Sequence, residues 1–132
     1  DANNLGVLNG VFYTDATTSK PTWSNYSPAS NTATDITALI TDDPMAMYEI
    51  MSADTAYNNN ETGGCADQVF ANGVSPLYMS RSKISATTSN AIAQLKIIGV
   101  SRDPEHSDIT EEGFALRVMI NEHILGNNVA GI

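Results

Sequence analysis

The residues best equipped for chemistry lie close together: Asp103, Glu105, His106 and Asp108, with Glu111 and Glu112 just behind. Hard oxygen donors at this density are what a calcium ion takes. The spacing departs from the calcium-loop template, because no glycine stands at the sixth position after Asp103. A solvated acidic loop is the stronger reading, and no metal is expected. His106 and His123 are the two histidines, and a serine nucleophile would need one of them as base with a carboxylate to orient it. No serine has a suggestive setting. His123 follows Glu122 at the end of an apolar run, where a hydrogen-bonded histidine is a simpler reading than a catalytic base. Asp42 and Asp43 precede Pro44 and form a turn before they form a ligand pair. Cys65, the single cysteine, rules out an internal disulfide and has no neighbouring Lys, Arg or His to activate it. A phosphate-cradling glycine loop, a paired-cysteine signature and a nucleophile elbow are all missing. The expectation is a chain that is not an enzyme, with no catalytic residue and no cofactor.

The element that organises the chain is Phe114 to His123. Phe114, Leu116, Val118 and Ile120 fall on one face of an extended strand, and Ala115, Arg117, Met119, Asn121 and His123 on the other. That pattern predicts a central strand against which others pair. Ala93–Val100 alternates as a second strand, and Leu5–Tyr13 as a third, interrupted by Gly6 and Gly10. Thr14–Pro21 reads as a turn, Pro21–Tyr26 as resumed strand, and Ile36–Thr41 with Met45–Ser52 as a hairpin around Asp42-Asp43-Pro44. A helix through Met45–Met51 competes with that hairpin, since Met, Ala and Glu all favour helices. Asp54–Gly64 is the most polar stretch and predicts an exposed loop, Ala86–Ala91 a Ser/Thr-rich connection, and Ser101–Gly113 an acidic one.

About seven short strands separated by turn signals predict an all-β fold. The expected form is a single-domain antiparallel sandwich or small barrel with long polar loops, covering 1–125, followed by a C-terminal tail at 126–132. At 132 residues and 42% apolar the chain can bury one core. Only 16% is charged, and the net charge is −9. That charge excludes a phosphate-binding footprint and disfavours anionic lipid, so neither nucleic acid nor membrane is an expected partner. No apolar run reaches the ~20 residues of a membrane span. The chain begins at Asp1 without methionine, which suggests processing or an incomplete chain.

Large apolar side chains beyond one core's needs point to contact surfaces. Met45, Met47 and Met51 share a strand face opposite Tyr48 and Ile50, and flexible thioethers suit interfaces. Trp23, the only tryptophan, reads first as a core or sheet-edge anchor and second as a stacking platform. Trp23, Met45, Met47 and Met51 are therefore the candidate interface residues.

Four stretches together resemble a family of small virion structural proteins of marine tailed bacteriophages. They are Gly10-Val11-Phe12-Tyr13-Thr14-Asp15 continuing through Lys20-Pro21-Thr22-Trp23-Ser24; Asp42-Asp43-Pro44 with Tyr48-Glu49-Ile50; Gln94-Leu95-Lys96-Ile97-Ile98-Gly99 with Asp103-Pro104; and Arg117 to His123. The resemblance spans most of residues 6–123. It implies a head decoration or cement protein on the exterior of the capsid, with the major capsid protein as partner and self-association, a trimer being one form. It brings no catalytic residue. A receptor- or glycan-binding knob or fibre module on the virion surface is the alternative, for which Trp23, Tyr26 and Tyr57 in exposed loops would speak. A metal-dependent enzyme built on the acidic cluster around His106 is the third class.

Overall fold

A computed structural model describes residues 3–53, 57, 61–85, 91–126 and 131. Nine strands appear among them: β1 (Val7–Thr14), β2 (Pro21–Ser24), β3 (Thr37–Thr41), β4 (Met47–Met51), β5 (Cys65–Ala66), β6 (Gln68–Val69), β7 (Lys83–Ile84), β8 (Leu95–Val100) and β9 (Ala115–Ile120). The described residues contain no α-helix, every strand pair is antiparallel, and no sheet closes into a barrel. The chain is all-β, and its open sheets fit a small β-sandwich. It divides into two compact units, Gly6–Asp42 and the remainder (Asp1–Leu5 with Asp43–Ile132).

In the larger unit the sheet order is β4-β9-β8-β5, so β9 is an inner strand, as its alternation predicts. Leu116, Val118 and Ile120 are nearly inaccessible and join Phe114 in the core, while Arg117 and Met119 on the other face stay half-buried. Burying each of these four apolar side chains contributes on the order of 1.5–3 kcal/mol before ordering entropy is subtracted. β8 supplies Leu95 and Ile97 opposite Ile120 and Val118, and a bulge at Ile98 then resets the phase so that Val100 faces Leu116. Regular alternation through Ile98, without the bulge, would instead turn Gly99, which has no side chain, to the inward position opposite Leu116. β4 adds Tyr48 and Ile50 to the same core. The β6–β7 ribbon contributes Ile84, which is fully buried, and Ser52 bridges to it just beyond β4.

The turn into β5 carries Gly63 at φ 88°, a left-handed conformation that disfavours a side chain. Its backbone is tied to β8 by Gly63 N–H donating to the Ile97 carbonyl at 2.8 Å, and Ile97 N–H donating to Gly64 at 3.0 Å.

The smaller unit is a three-stranded sheet, β2-β1-β3, with β1 in the middle. The turn from β1 to β2 is set by Asp15, whose Oδ1 accepts from the Thr17 and Thr18 N–H groups at 2.8 and 2.7 Å. Pro21 opens β2, a position where a missing N–H is tolerated. Asp35 fastens the sheet's far end by accepting from the Thr14 hydroxyl at 2.6 Å and the Thr14 N–H at 3.1 Å.

Three expectations need correction or delimiting. The β3–β4 hairpin does not form: β3 pairs with β1 and β4 with β9. Alternation fixes which face of a strand is apolar, and it does not name the neighbouring strand; Tyr48 and Ile50 belong to the core under β9. Tyr57 is not exposed. It is 7% accessible, its ring meets Phe114 at 6.1 Å between centroids, and its hydroxyl bonds Thr62 Oγ1 at 2.7 Å. The rest of the polar stretch (54–56 and 58–60), 86–90 of the Ser/Thr-rich connection, and all of the tail except Gly126 and Gly131 lie outside the described residues.

Candidate functional site

The acidic cluster forms in part. Asp103, Glu105 and His106 bring one ligand atom each to within 4.8 Å of one another, whereas Asp108, Glu111 and Glu112 do not join them. Asp103 is engaged in its own turn: its Oδ1 accepts from the Glu105 N–H at 3.1 Å, and its carbonyl from the His106 N–H at 3.1 Å. Asp108 folds back on Thr110 in the same manner, taking the hydroxyl at 2.7 Å and the N–H at 3.0 Å, and these bonds hold its carboxyl below the ordinary value. Both carboxylates of the cluster are exposed, as a solvated turn would leave them.

His123 sits immediately beyond β9, 4% accessible, bridged to Asn4 and Gly126. Its Nδ1 accepts from the Leu125 N–H at 3.0 Å, so the ring proton belongs on Nε2. This is a hydrogen-bonded strand-end histidine, as the sequence suggested. Cys65 is fully buried, with Asn121 Nδ2 at 3.6 Å from its sulfur. A groove of about 140 Å³ lies in the smaller unit between Tyr13, Asp15, Asn31 and Pro28. It falls short of the ~300 Å³ at which ligand pockets begin.

The conspicuous feature is exposed apolar surface. In the smaller unit Phe12 stands directly opposite Trp23 on one side and Thr37 on the other, so all three share a face. Leu39, two residues on from Thr37, and Val7, paired with Thr41, fall on the same face. Phe12, Trp23 and Leu39 are each 49% accessible and Val7 41%. The Phe12 and Trp23 rings meet at 5.9 Å and 52°, an edge-biased aromatic pair. Gly10 is what lets Trp23 lie there, since a Cβ at that position would stand 2.4 Å from the indole ring. Val11, on the opposite face, is buried.

On the larger unit Met47 at 57% and Met51 at 41% lie exposed on the side of β4 away from the core. Met45, 69% accessible, sits in the turn before the strand, where its N–H donates to Asp43 Oδ1 at 2.8 Å, and so does not share the strand face expected of it. Glu49 stands between Met47 and Met51 on that side, opposite Arg117 in register, and accepts from Ser101 Oγ at 3.0 Å. The four candidate interface residues are thus all accessible, Trp23 on one unit and the three methionines on the other.

The sequence reading did not single out Phe12, Val7 and Leu39 as companions of Trp23, nor Phe70. The signal for Phe70 was present: an apolar run holding Gly73 and Pro76 is poorly suited to an inner strand.

Searches against protein-family models, curated proteins and solved structures return no match for this chain.

Proposed function

We propose that this protein is a decoration protein of a tailed-bacteriophage head. In this reading it sits on the outside of the capsid and stabilises the shell by contacts across major capsid protein subunits. The observation that carries the reading is the half-exposed face of Val7, Phe12, Trp23 and Leu39. An aromatic pair held on a sheet, with Leu39 and Val7 on the same face, makes a pre-ordered anchor, the kind of centre that dominates binding energy in protein interfaces. The net charge of −9 agrees with an exterior position, where contact with packaged DNA is neither needed nor favourable. The role is structural and needs no reacting group. The resemblance of four stretches within residues 6–123 to virion structural proteins supports the same reading.

The test is occupancy on purified particles. Trp23→Ala removes the larger ring of the anchor and is expected to weaken attachment by about 2 kcal/mol, roughly thirtyfold. Full occupancy by a folded Trp23→Ala protein would take this face out of the capsid contact. The same exposed indole favours one second reading, a glycan-binding knob on the virion surface, because sugars stack on half-exposed aromatic rings. Binding on a glycan array that Trp23→Ala abolishes would select that reading over the cement role.

A further inference from the structure

The chain holds two Asn-Gly pairs, Asn9-Gly10 and Asn72-Gly73. Asparagine is among the thermolabile residues, and it is most so before glycine, where no following side chain shields the main-chain nitrogen. In that reaction the glycine nitrogen attacks the asparagine Cγ. The amide proton leaves with the side-chain NH2 group as ammonia while a succinimide ring closes, and water then opens the ring at either carbonyl. The products are aspartate and isoaspartate, in which the main chain runs through the former side-chain carbon. Water is the only co-reactant. The fold decides whether the side-chain amide can turn onto the next nitrogen.

The structure separates the two pairs. Asn9 lies in β1, the middle strand of its sheet, where the register shifts between Leu8 and Gly10. Its Nδ2 donates to Thr41 Oγ1 at 2.7 Å, and Gly10 is buried opposite Leu39. Cyclisation there requires the side chain to leave Thr41 and the strand pairing to open, and the free-energy cost of that opening multiplies into the rate. Asn72 meets neither obstacle. It lies on an arm over residues 70–82 that leaves β6 at Val69 and returns at Lys83, two residues paired in register. It is exposed and outside any strand, and among the described residues neither its side-chain amide nor the Gly73 N–H makes a hydrogen bond. The arm is tied on both sides of the pair. Ala71 N–H donates to Ser82 Oγ at 3.1 Å and Arg81 N–H to the Ala71 carbonyl at 3.1 Å, while Tyr78 N–H donates to the Val74 carbonyl at 2.9 Å. The pair itself is unheld.

The products differ from asparagine in charge and in chain length, and the arm accommodates neither change. Residues 68–102 contain Arg81, Lys83, Lys96 and Arg102 and none of the 15 carboxylates, so conversion places the first carboxylate in that stretch. Gly73 has no room to shift, since a Cβ there would lie 2.3 Å from the Tyr78 carbonyl carbon and 2.5 Å from the Met79 carbonyl oxygen. Isoaspartate adds a methylene to the main chain immediately before this contact. The turn closed by Tyr78 on Val74 must then move, and the exposed Leu77 and Met79 move with it.

We propose that Asn72 is a site of spontaneous deamidation, and that its conversion to aspartate and isoaspartate remodels the 70–82 arm as the protein ages. Nothing in the proposal depends on capsid binding, so it and the decoration reading fail separately.

Peptide mapping by mass spectrometry tests it, after incubation of the purified chain at mildly alkaline pH, where loss of the amide proton is easier. Asn72 is expected to convert about tenfold or more faster than Asn9 in the folded chain, and the two rates converge in urea, where neither pair is held. Asn72→Gln is expected to remove the acidic species that ion exchange resolves from the aged chain. Native trypsin cleavage after Arg81 reads the remodelling: the purified isoaspartate form is expected to be cut faster than fresh protein, whereas Asn72→Asp, which adds the charge without the methylene, is cut like fresh protein. An Asn72 that stays intact in the folded chain, an Asn9 that keeps pace with it there, or a rate difference that persists in urea would each overturn the site. Equal cleavage of the fresh and isoaspartate forms would overturn the remodelling.

Discussion

Leu116→Ala is the sharpest test of the packing. Leu116 is 3% accessible on the inner face of β9, with Ile50 of β4 opposite it on one side and Val100 of β8 on the other. Truncation removes buried methyl groups and leaves a cavity between two strands that are fixed by their own backbone pairing, so collapse is limited. Leucine-to-alanine changes at such sites cost about 2–5 kcal/mol, and a central value near 3 kcal/mol corresponds to a fall of roughly 10–15 °C in Tm for a chain of this size. Met119→Ala is the matched control: it deletes a comparable apolar mass three residues along the same strand on the other, half-buried face, and is expected to cost under about 1 kcal/mol. Urea and thermal melts followed by far-UV circular dichroism measure both. Equal losses for the two variants, or a larger loss for Met119→Ala, would refute the assignment of inner and outer faces. The four-stranded sheet would then have to be turned over.

Two further outcomes follow from the smaller unit. The Thr14 hydroxyl and N–H hold the Asp35 carboxyl below its ordinary value of 3.8, so its stabilisation is present above that pH and is lost as pH falls through the lower folded value. Asp35→Asn is therefore expected to melt below wild type near neutrality, with the gap closing in strong acid; a gap that widens on acidification would contradict the sign. Gly10→Ala places a methyl group 2.4 Å from the Trp23 ring and 2.8 Å from the Ser24 carbonyl, and displacing them is expected to cost about 1–3 kcal/mol and shift tryptophan emission. An unchanged emission spectrum with unchanged stability would mean the indole does not lie over Gly10.

The central strand was legible because its information is local. Every second residue from Phe114 to Ile120 is large and apolar, and each of the four joins the core. Partner choice was not legible, since the face of β4 that carries Tyr48 and Ile50 would look the same beside β3 as it does beside β9. The bulge at Ile98 was hidden for a related reason: Ile97-Ile98-Gly99 fits either phase until Leu116 and Val118 fix which side is inside. Tyr57 misled by its neighbours. It stands in the most polar stretch of the chain, yet Phe114 and Thr62 supply its apolar and hydrogen-bonding partners, and burial pushes its phenol pKa up. The acidic cluster was half legible, because sequence proximity brought Asp103, Glu105 and His106 together, while the Asx turn at Asp108 directed that carboxylate to Thr110.

The distribution of apolar residues separates stabilising this chain from engaging another. Core demand in the larger unit is met by β4, β5, β7, β8 and β9 with Phe114, Tyr57 and Ile109, and it uses no methionine. Phe12, Trp23 and Leu39, the three methionines of the β4 segment, and the side chains of the 70–82 arm all remain accessible. Exposed apolar surface of this extent favours self-adhesion in solution unless its geometry permits only defined contacts. Here the patches are held on strands, on the turn before β4 and on an internally bonded loop, each fixed by its own backbone hydrogen bonds. The net charge of −9 adds repulsion between copies, so contact through these patches is favoured only where a partner's shape covers enough apolar area to offset it.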